Sequence, residues 1–157
     1  KTSVLLAAAL KIGAYLADAP AEDAEKLYEF GVKMGLAFQL QDDWLDVYGD
    51  PKVFGKNIGG DILCNKKTFM LITALEEANE EQRAALEGWL AAREYVPAEK
   101  IAAVTALYNE IGVGKRCQEM AEALNAEGFA ILDSINLPEE RKAVLKKYAC
   151  SMLNRNV

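Results

Sequence analysis

Three aspartates lie close together on one predicted helix, in the segment FQLQDDWLD at residues 38–46. An α-helix turns by about 100° per residue, so Asp46 lies about 40° and Asp43 about 100° from Asp42 around the axis. Like charges three or four residues apart destabilise a helix by about 0.2–0.5 kcal/mol per pair. A folded protein therefore exposes such a cluster to water or to a cation. On the aspartates alone, a solvated acidic patch remains the simpler interpretation.

Lysines follow the aspartates at positions that suit an anion. Lys56 lies in the glycine-rich segment 49–65, GDPKVFGKNIGGDILCN, which we predict to be a structured loop. Lys66 and Lys67 stand at the predicted start of the next helix, where the macrodipole disfavours a cation by about 0.3–1 kcal/mol. Each lysine alone could serve only solubility. Carboxylates, lysines and a glycine-rich loop together are the parts that hold a diphosphate through Mg²⁺ and stabilise its departing charge.

The composition excludes several other kinds of chemistry. The chain has no histidine, so it contains neither a Ser-His nor a Cys-His nucleophile pair and no imidazole metal ligand. With 24 acidic and 18 basic residues, the net charge of −6 provides no basic surface for nucleic acid or an anionic membrane. Three separated cysteines without a CxxC pair argue against a zinc site and favour a reducing, cytoplasmic compartment. The apolar run at 4–10 is too short to span a membrane.

Helical periodicity dominates the chain and predicts an all-α protein without internal repeats or linkers, as a single domain over residues 1–157. The predicted helices cover residues 2–17, 21–48, 66–78, 80–93, 97–111, 115–134 and 138–153. The second helix would span roughly 40 Å at about 1.5 Å per residue. It would carry the aspartates on one side and an apolar stripe on another, with Leu36, Leu40, Trp44 and Val47 in that stripe.

The segment 38–67, FQLQDDWLDVYGDPKVFGKNIGGDILCNKK, resembles the second aspartate-rich region of trans-isoprenyl diphosphate synthases. In that family FQxxDDxxD is followed by GD, GK, GxD and a lysine pair. The pair Lys1 and Thr2 is similar to the family's KT element, and the helical remainder is similar to its C-terminal third. The resemblance implies a helical bundle of the isoprenoid synthase type, of which this chain is the C-terminal part.

The resemblance also implies roles for individual residues. Asp42 would be a direct magnesium ligand, and Asp43 with Asp46 would complete the metal site, partly through water. The residues implied to contact the allylic diphosphate during catalysis are Lys1, Thr2, Gln39, Lys56 and Lys66. Two further substrate contacts are implied, Phe38 on the isopentenyl side of the pocket and Arg155 in the terminal basic element. Asp61 and Lys67 are weaker matches, which could merely cap or solvate the loop.

The implied activity is that of a prenyltransferase of isoprenoid biosynthesis, a polyprenyl diphosphate synthase. It would condense an allylic diphosphate with isopentenyl diphosphate, using Mg²⁺ or, as a substitute, Mn²⁺, in a cytoplasmic homodimer. Neither nucleic acid nor a membrane span is expected. The family's first DDxxD motif and its isopentenyl-binding arginine and lysine would precede Lys1, so we expect the 157-residue chain to supply half of the site and to be inactive alone.

Three other interpretations remain open. A class I terpene synthase or a squalene/phytoene-type synthase shares the architecture and the magnesium–diphosphate chemistry, but the NSE-type metal motif that would favour a terpene cyclase is absent from this sequence. A non-catalytic regulatory or partner subunit would need no clustered charge, so the presence of Asp42, Asp43 and Asp46 weighs against it. A generic helical scaffold would bind no diphosphate in the presence of Mg²⁺.

Overall fold

The computed structural model describes residues 2–50 and 58–153, and within these ranges the chain is helical without strands. This confirms the all-α prediction. The helices are α1 (Thr2–Leu16), α2 (Ala21–Tyr48), α3 (Gly60–Leu63), α4 (Phe69–Glu77), α5 (Glu80–Ala91), α6 (Pro97–Ile111), α7 (Val113–Asp133) and α8 (Glu139–Leu153). None of these described helices has the length and apolarity that crossing a membrane requires.

Two local predictions around the lysine pair are wrong. The helix predicted over 66–78 begins only at Phe69, because the Thr68 hydroxyl accepts a hydrogen bond from the Leu71 N–H at 3.2 Å and caps the helix. Lys66 and Lys67 therefore precede the helix rather than occupy its first turn. The glycine-rich segment is also not wholly a loop, since its last part forms the short helix α3.

The described chain divides into two compact units, one of residues 2–41 and 119–153 and one of residues 42–50 and 58–118. The single-domain expectation for 1–157 stays a prediction. The first unit has a core formed by apolar side chains of α1, α2, α7 and α8 and of the turn that follows α7. Its buried members are Ala14, Ala24, Leu27, Phe30, Met34, Leu132, Ile135 and Ala149.

The second unit is organised around α6, which packs against α3, α4 and α5. Pro97 opens α6 at its first turn, and Gly112 ends it with a left-handed φ of 85°. Lys100, Val104 and Tyr108 recur every four residues and form the buried side of α6. This packing holds α3 and the residues that follow it, which carry Lys66.

The apolar stripe predicted for the long helix is only partly correct. Val47 is buried, but Leu36 is 43% exposed. The side chains that α2 buries include Phe30, Met34 and Leu45. The helix α2 has 28 residues, and the elements that pack against it change along its length. The angle around the helix axis therefore does not suffice to predict which side chains are buried.

Two glycines provide a matched test of how α1 packs on α2. A Cβ on Gly31 would lie 2.6 Å from the Ala7 Cα, whereas a Cβ on Gly13 would meet nothing within 4 Å. We expect Gly31→Ala to lower the free energy of unfolding by about 1–3 kcal/mol, as overpacking does. Gly13→Ala should raise it by about 0.5–1 kcal/mol, because alanine is the better helix former.

Urea unfolding followed by circular dichroism measures both changes. Equal effects of the two substitutions would contradict the close approach of α1 to α2.

Candidate functional site

A lysine lies between two aspartates that are separated by 18 residues in the sequence. The Lys66 ammonium donates hydrogen bonds to Asp43 Oδ1 at 2.9 Å and to Asp61 Oδ2 at 2.7 Å. Asp43 comes from α2 and is 6% exposed, while Asp61 lies on α3. We call Asp43, Asp46, Asp61 and Lys66 the aspartate–lysine cluster.

The two carboxylates stabilise the charged form of Lys66. Burial by itself would lower the pKa of the Lys66 ammonium, but hydrogen bonds to Asp61 and Asp43 and their negative charges raise that pKa well above its usual value. Lys66 therefore stays a cation throughout the physiological range. Nearly half of its side chain remains exposed, so the charge is also accessible to an anion.

Asp46 ties α3 to the end of α2. Its Oδ2 accepts a hydrogen bond from the Asp61 N–H at 2.8 Å, and its carbonyl oxygen accepts one from the Gly59 N–H. Burial raises the pKa of the Asp46 carboxyl, whereas the hydrogen bond from Asp61 opposes that rise. Asp46 thus has a structural task in addition to the metal-site role that the sequence predicts for it.

The oxygen donors of the cluster suit Mg²⁺, but side chains alone do not complete a site. Among the described residues, no group of three or more acidic or cysteine side chains is arranged to hold a metal ion. Mg²⁺ is commonly held by one or two carboxylates together with water and substrate phosphate oxygens. A magnesium ion bound by Asp42 and its neighbours would therefore take its remaining ligands from outside this set.

Asn65 and Lys100, which the sequence did not mark as site residues, support the segment before Lys66. Asn65 has a left-handed backbone with φ 51°, a conformation that asparagine tolerates better than most residues. Its Oδ1 accepts a hydrogen bond from the buried Lys100 ammonium at 2.7 Å. The available signal was the position of Lys100, four and eight residues before the apolar Val104 and Tyr108 on one helical face.

The remaining predicted site residues are distributed over both units or lie outside the described residues. Lys1, Lys56 and Arg155 lie outside the described residues. Thr2 is exposed at the start of α1, and Phe38 and Gln39 are half-buried on α2, all three in the first unit. Asp42 is half-buried beside Asp43 in the second unit. The roles implied for all of these side chains stay predictions.

Gly59 and Gly60 allow a test of the turn that presents Asp61. Gly59 has φ 83°, and a Cβ there would lie 2.7 Å from two Ile101 side-chain atoms. A Cβ on Gly60 would meet only Asp46 Oδ1, at 3.4 Å. We expect Gly59→Ala to lower the free energy of unfolding by about 1–3 kcal/mol, because alanine is strained at positive φ and overpacks the site. Gly60→Ala should change it by less than about 1 kcal/mol.

Denaturant titration of both variants decides this prediction. A Gly59→Ala protein as stable as Gly60→Ala would mean that the turn before α3 is not built as described.

Comparison with known proteins identifies the family of this chain. The family model described as Polyprenyl synthetase matches residues 1–111. A short chain isoprenyl diphosphate synthase of Methanocaldococcus jannaschii is 46% identical over 83 residues, which is 53% of this chain and 25% of that protein. A (2E,6E)-farnesyl diphosphate synthase of Mycobacterium tuberculosis is 33% identical over 160 residues, covering 99% of this chain and 44% of that protein.

Solved structures agree with the sequence relatives. A crystal structure of a geranylgeranyl pyrophosphate synthase superposes with a TM-score of 0.89 at 31% identity, covering all of this chain and 49% of that one. The Corynebacterium glutamicum geranylgeranyl pyrophosphate synthase, solved with isoprenyl diphosphate and magnesium, gives 0.80 at 31% identity over 92% of this chain and 41% of that one. The chain thus spans at most about half the length of these relatives. Since the family model matches well over half of the chain, the protein belongs to the polyprenyl synthetase family.

Proposed function

We propose that this protein is a magnesium-dependent prenyltransferase that condenses an allylic diphosphate with isopentenyl diphosphate, and that the chain contributes the diphosphate-holding half of the site. The observation that carries the proposal is the position of Lys66, a partly exposed cation held between Asp43 and Asp61. Relatives named as farnesyl and geranylgeranyl diphosphate synthases support the reaction class. The relative solved with magnesium and isoprenyl diphosphate supports the ligands.

The aspartate–lysine cluster and the adjacent Asp42 would together provide both charges that a metal-bound diphosphate needs. Carboxylate oxygens of Asp42 and Asp43 would hold Mg²⁺, which when bound neutralises the diphosphate charge and stabilises it as a leaving group. The Lys66 ammonium would donate hydrogen bonds to diphosphate oxygens, and such charge-assisted bonds are the strong ones. Asp46 would act mainly by holding α3 against α2, so that Asp61 and Lys66 keep their places.

The proposed reaction needs no nucleophilic side chain. The C–O bond of the allylic diphosphate breaks, and the diphosphate leaves with the electron pair. The isopentenyl double bond then attacks the resulting carbocation, and loss of a proton gives a chain five carbons longer. The absence of histidine from the 157 residues agrees with such a path.

Oligomerisation is part of the proposal. The homodimer implied by the resemblance is supported by exposed apolar side chains on α1, where Leu5 is 76% and Leu16 is 82% exposed. Large apolar side chains that cluster on a surface mark interaction sites more often than free surface.

Binding of inorganic pyrophosphate tests the half-site directly. We expect the chain to bind pyrophosphate in calorimetry with MgCl₂ and to lose that binding in EDTA. Lys66→Gln should weaken binding about tenfold or more, because a hydrogen bond to a charged group contributes about 1.5–3 kcal/mol. Asp43→Asn should reduce the gain in pyrophosphate affinity that MgCl₂ provides.

Lys146→Gln is the matched control. Lys146 also lies near two carboxylates, with its Nζ 2.5 Å from Asp133 Oδ1 and 3.6 Å from Glu139 Oε2, but it belongs to the first unit. Its removal should leave pyrophosphate affinity unchanged. Equal affinities of the wild type and Lys66→Gln, or binding that survives EDTA, would refute the proposed site.

Activity of the 157-residue chain tests the half-site claim. Because the proposed metal ligands would have to be completed from outside this chain, we expect no prenyl transfer from the purified chain with Mg²⁺, geranyl diphosphate and radiolabelled isopentenyl diphosphate. Product accumulation above the enzyme-free rate would show that this chain alone holds a complete site.

A further inference from the structure

A buried lysine lies beneath the turn that carries Lys66. Lys100 is only 1% exposed and is the largest fully buried side chain among the described residues. Its ammonium donates a hydrogen bond to Asn65 Oδ1 at 2.7 Å and lies 4.3 Å from the centre of the Tyr95 ring. Neither of these partners carries a charge. A buried ammonium is strongly unfavourable unless such contacts satisfy it, so the position of Asn65 is tightly coupled to Lys100.

Further contacts fix the same short segment. The Asn65 side-chain N–H donates to the Leu90 carbonyl at 3.1 Å, and the Tyr95 hydroxyl donates to the Leu63 carbonyl at 3.2 Å. Asn65 itself has the positive φ of 51° that ends α3. Such a conformation is sparsely populated unless its surroundings impose it. Residues of α5, of α6 and of the turn between these helices therefore hold Leu63 and Asn65 in place by hydrogen bonds.

The space beside Lys100 and Asn65 could hydrate the lysine only slightly. Lys100, Asn65 and Lys66 line a cavity of about 10 Å³ whose other walls are mainly apolar. A cavity of that size has room for about one water molecule. If the contact with Asn65 were lost, little solvent could replace it, so the hydrogen bond should persist and hold the turn stiffly.

Lys66 is the next residue along the chain. Its N–H donates to the Asp61 carbonyl at 2.9 Å, and its ammonium bridges Asp43 and Asp61. We propose that Lys100 is a positioning residue, whose buried ammonium holds Asn65 in its left-handed turn and thereby aims the Lys66 ammonium at the diphosphate site. The positioning of Lys66 stands on the contacts above, and its consequence for diphosphate binding rests on the proposed function.

Lys100→Met tests the proposal because methionine keeps much of the apolar length and removes the ammonium. Lys142→Met is the matched control, since Lys142 is also buried, at 5% exposed, but donates to the Asp133 carbonyl at 2.9 Å in the first unit. Both substitutions should lower thermal stability. If Lys100 positions Lys66, only Lys100→Met should also change the exchange of the Lys66 amide and the affinity for pyrophosphate.

Hydrogen exchange of the ligand-free protein is the first readout. In Lys100→Met we expect the Lys66 amide to exchange at least tenfold faster relative to the amides of α4, because its hydrogen bond to Asp61 depends on the turn. In Lys142→Met that ratio should stay at the wild-type value. A wild-type ratio in Lys100→Met would overturn the proposal.

Pyrophosphate affinity in MgCl₂ is the second readout, measured at a temperature where every variant is folded. Lys100→Met should weaken binding at least fivefold and Lys142→Met should leave it unchanged. The double variant Lys66→Gln/Lys100→Met should bind no more weakly than Lys66→Gln, because Lys100 acts through Lys66. Additive losses would overturn the proposal.

Two provisions keep the test decisive. If Lys100→Met does not fold, Asn65→Gly replaces it, since glycine accepts the positive φ but removes both amide contacts, and the same two results are expected. If the wild type binds no pyrophosphate, the proposed function fails, and the exchange of the Lys66 amide still decides whether Lys100 positions that residue.

Discussion

The structure depends on how the negative charge at the end of α2 is neutralised. Asp43 is almost fully buried, and a buried carboxylate without a partner would be strongly unfavourable. The Lys66 ammonium provides that partner and binds Asp61 as well. This pairing brings α2 and α3 together and leaves a cation partly exposed beside the carboxylates. In the folded chain the ammonium that would bind a diphosphate is therefore already paired with a carboxylate, Asp43, that would bind a divalent ion.

The neighbouring backbone contacts make this pairing specific. Asp46 accepts hydrogen bonds from the N–H groups of both Gly59 and Asp61, which fixes where α3 begins. At the other end of α3, Asn65 and Lys100 fix where the chain turns towards Lys66. A flexible lysine could reach many positions from a loose loop. Because both ends of α3 are fixed, the Lys66 ammonium can reach few positions. An anion that bound to Lys66 would therefore cost little further ordering entropy.

Family membership and the described contacts both bear on the proposed half-site. Members of the polyprenyl synthetase family that match this chain are about twice its length or more. The described carboxylates do not form a three-ligand metal group by themselves. In the proposed function, the other metal ligands would come from the substrate and from outside this chain. Such a division would make metal binding depend on the diphosphate, so that the ion and the substrate enter together.

The sequence by itself determined the helical class and most helix boundaries, because periodicity and capping residues carry that information, whereas the magnesium–diphosphate roles of its motif residues stay predictions. It also selected Lys66, partly from a helix start that is wrong, because the next helix begins at Phe69 after the Thr68 cap. Only the tertiary structure showed that Lys66 pairs with Asp43 across 23 residues, that Asp46 holds a backbone N–H, and that Lys100 supports Asn65. These contacts join residues far apart in the chain, and a pattern read along one helix cannot specify which distant side chain will neutralise a buried charge.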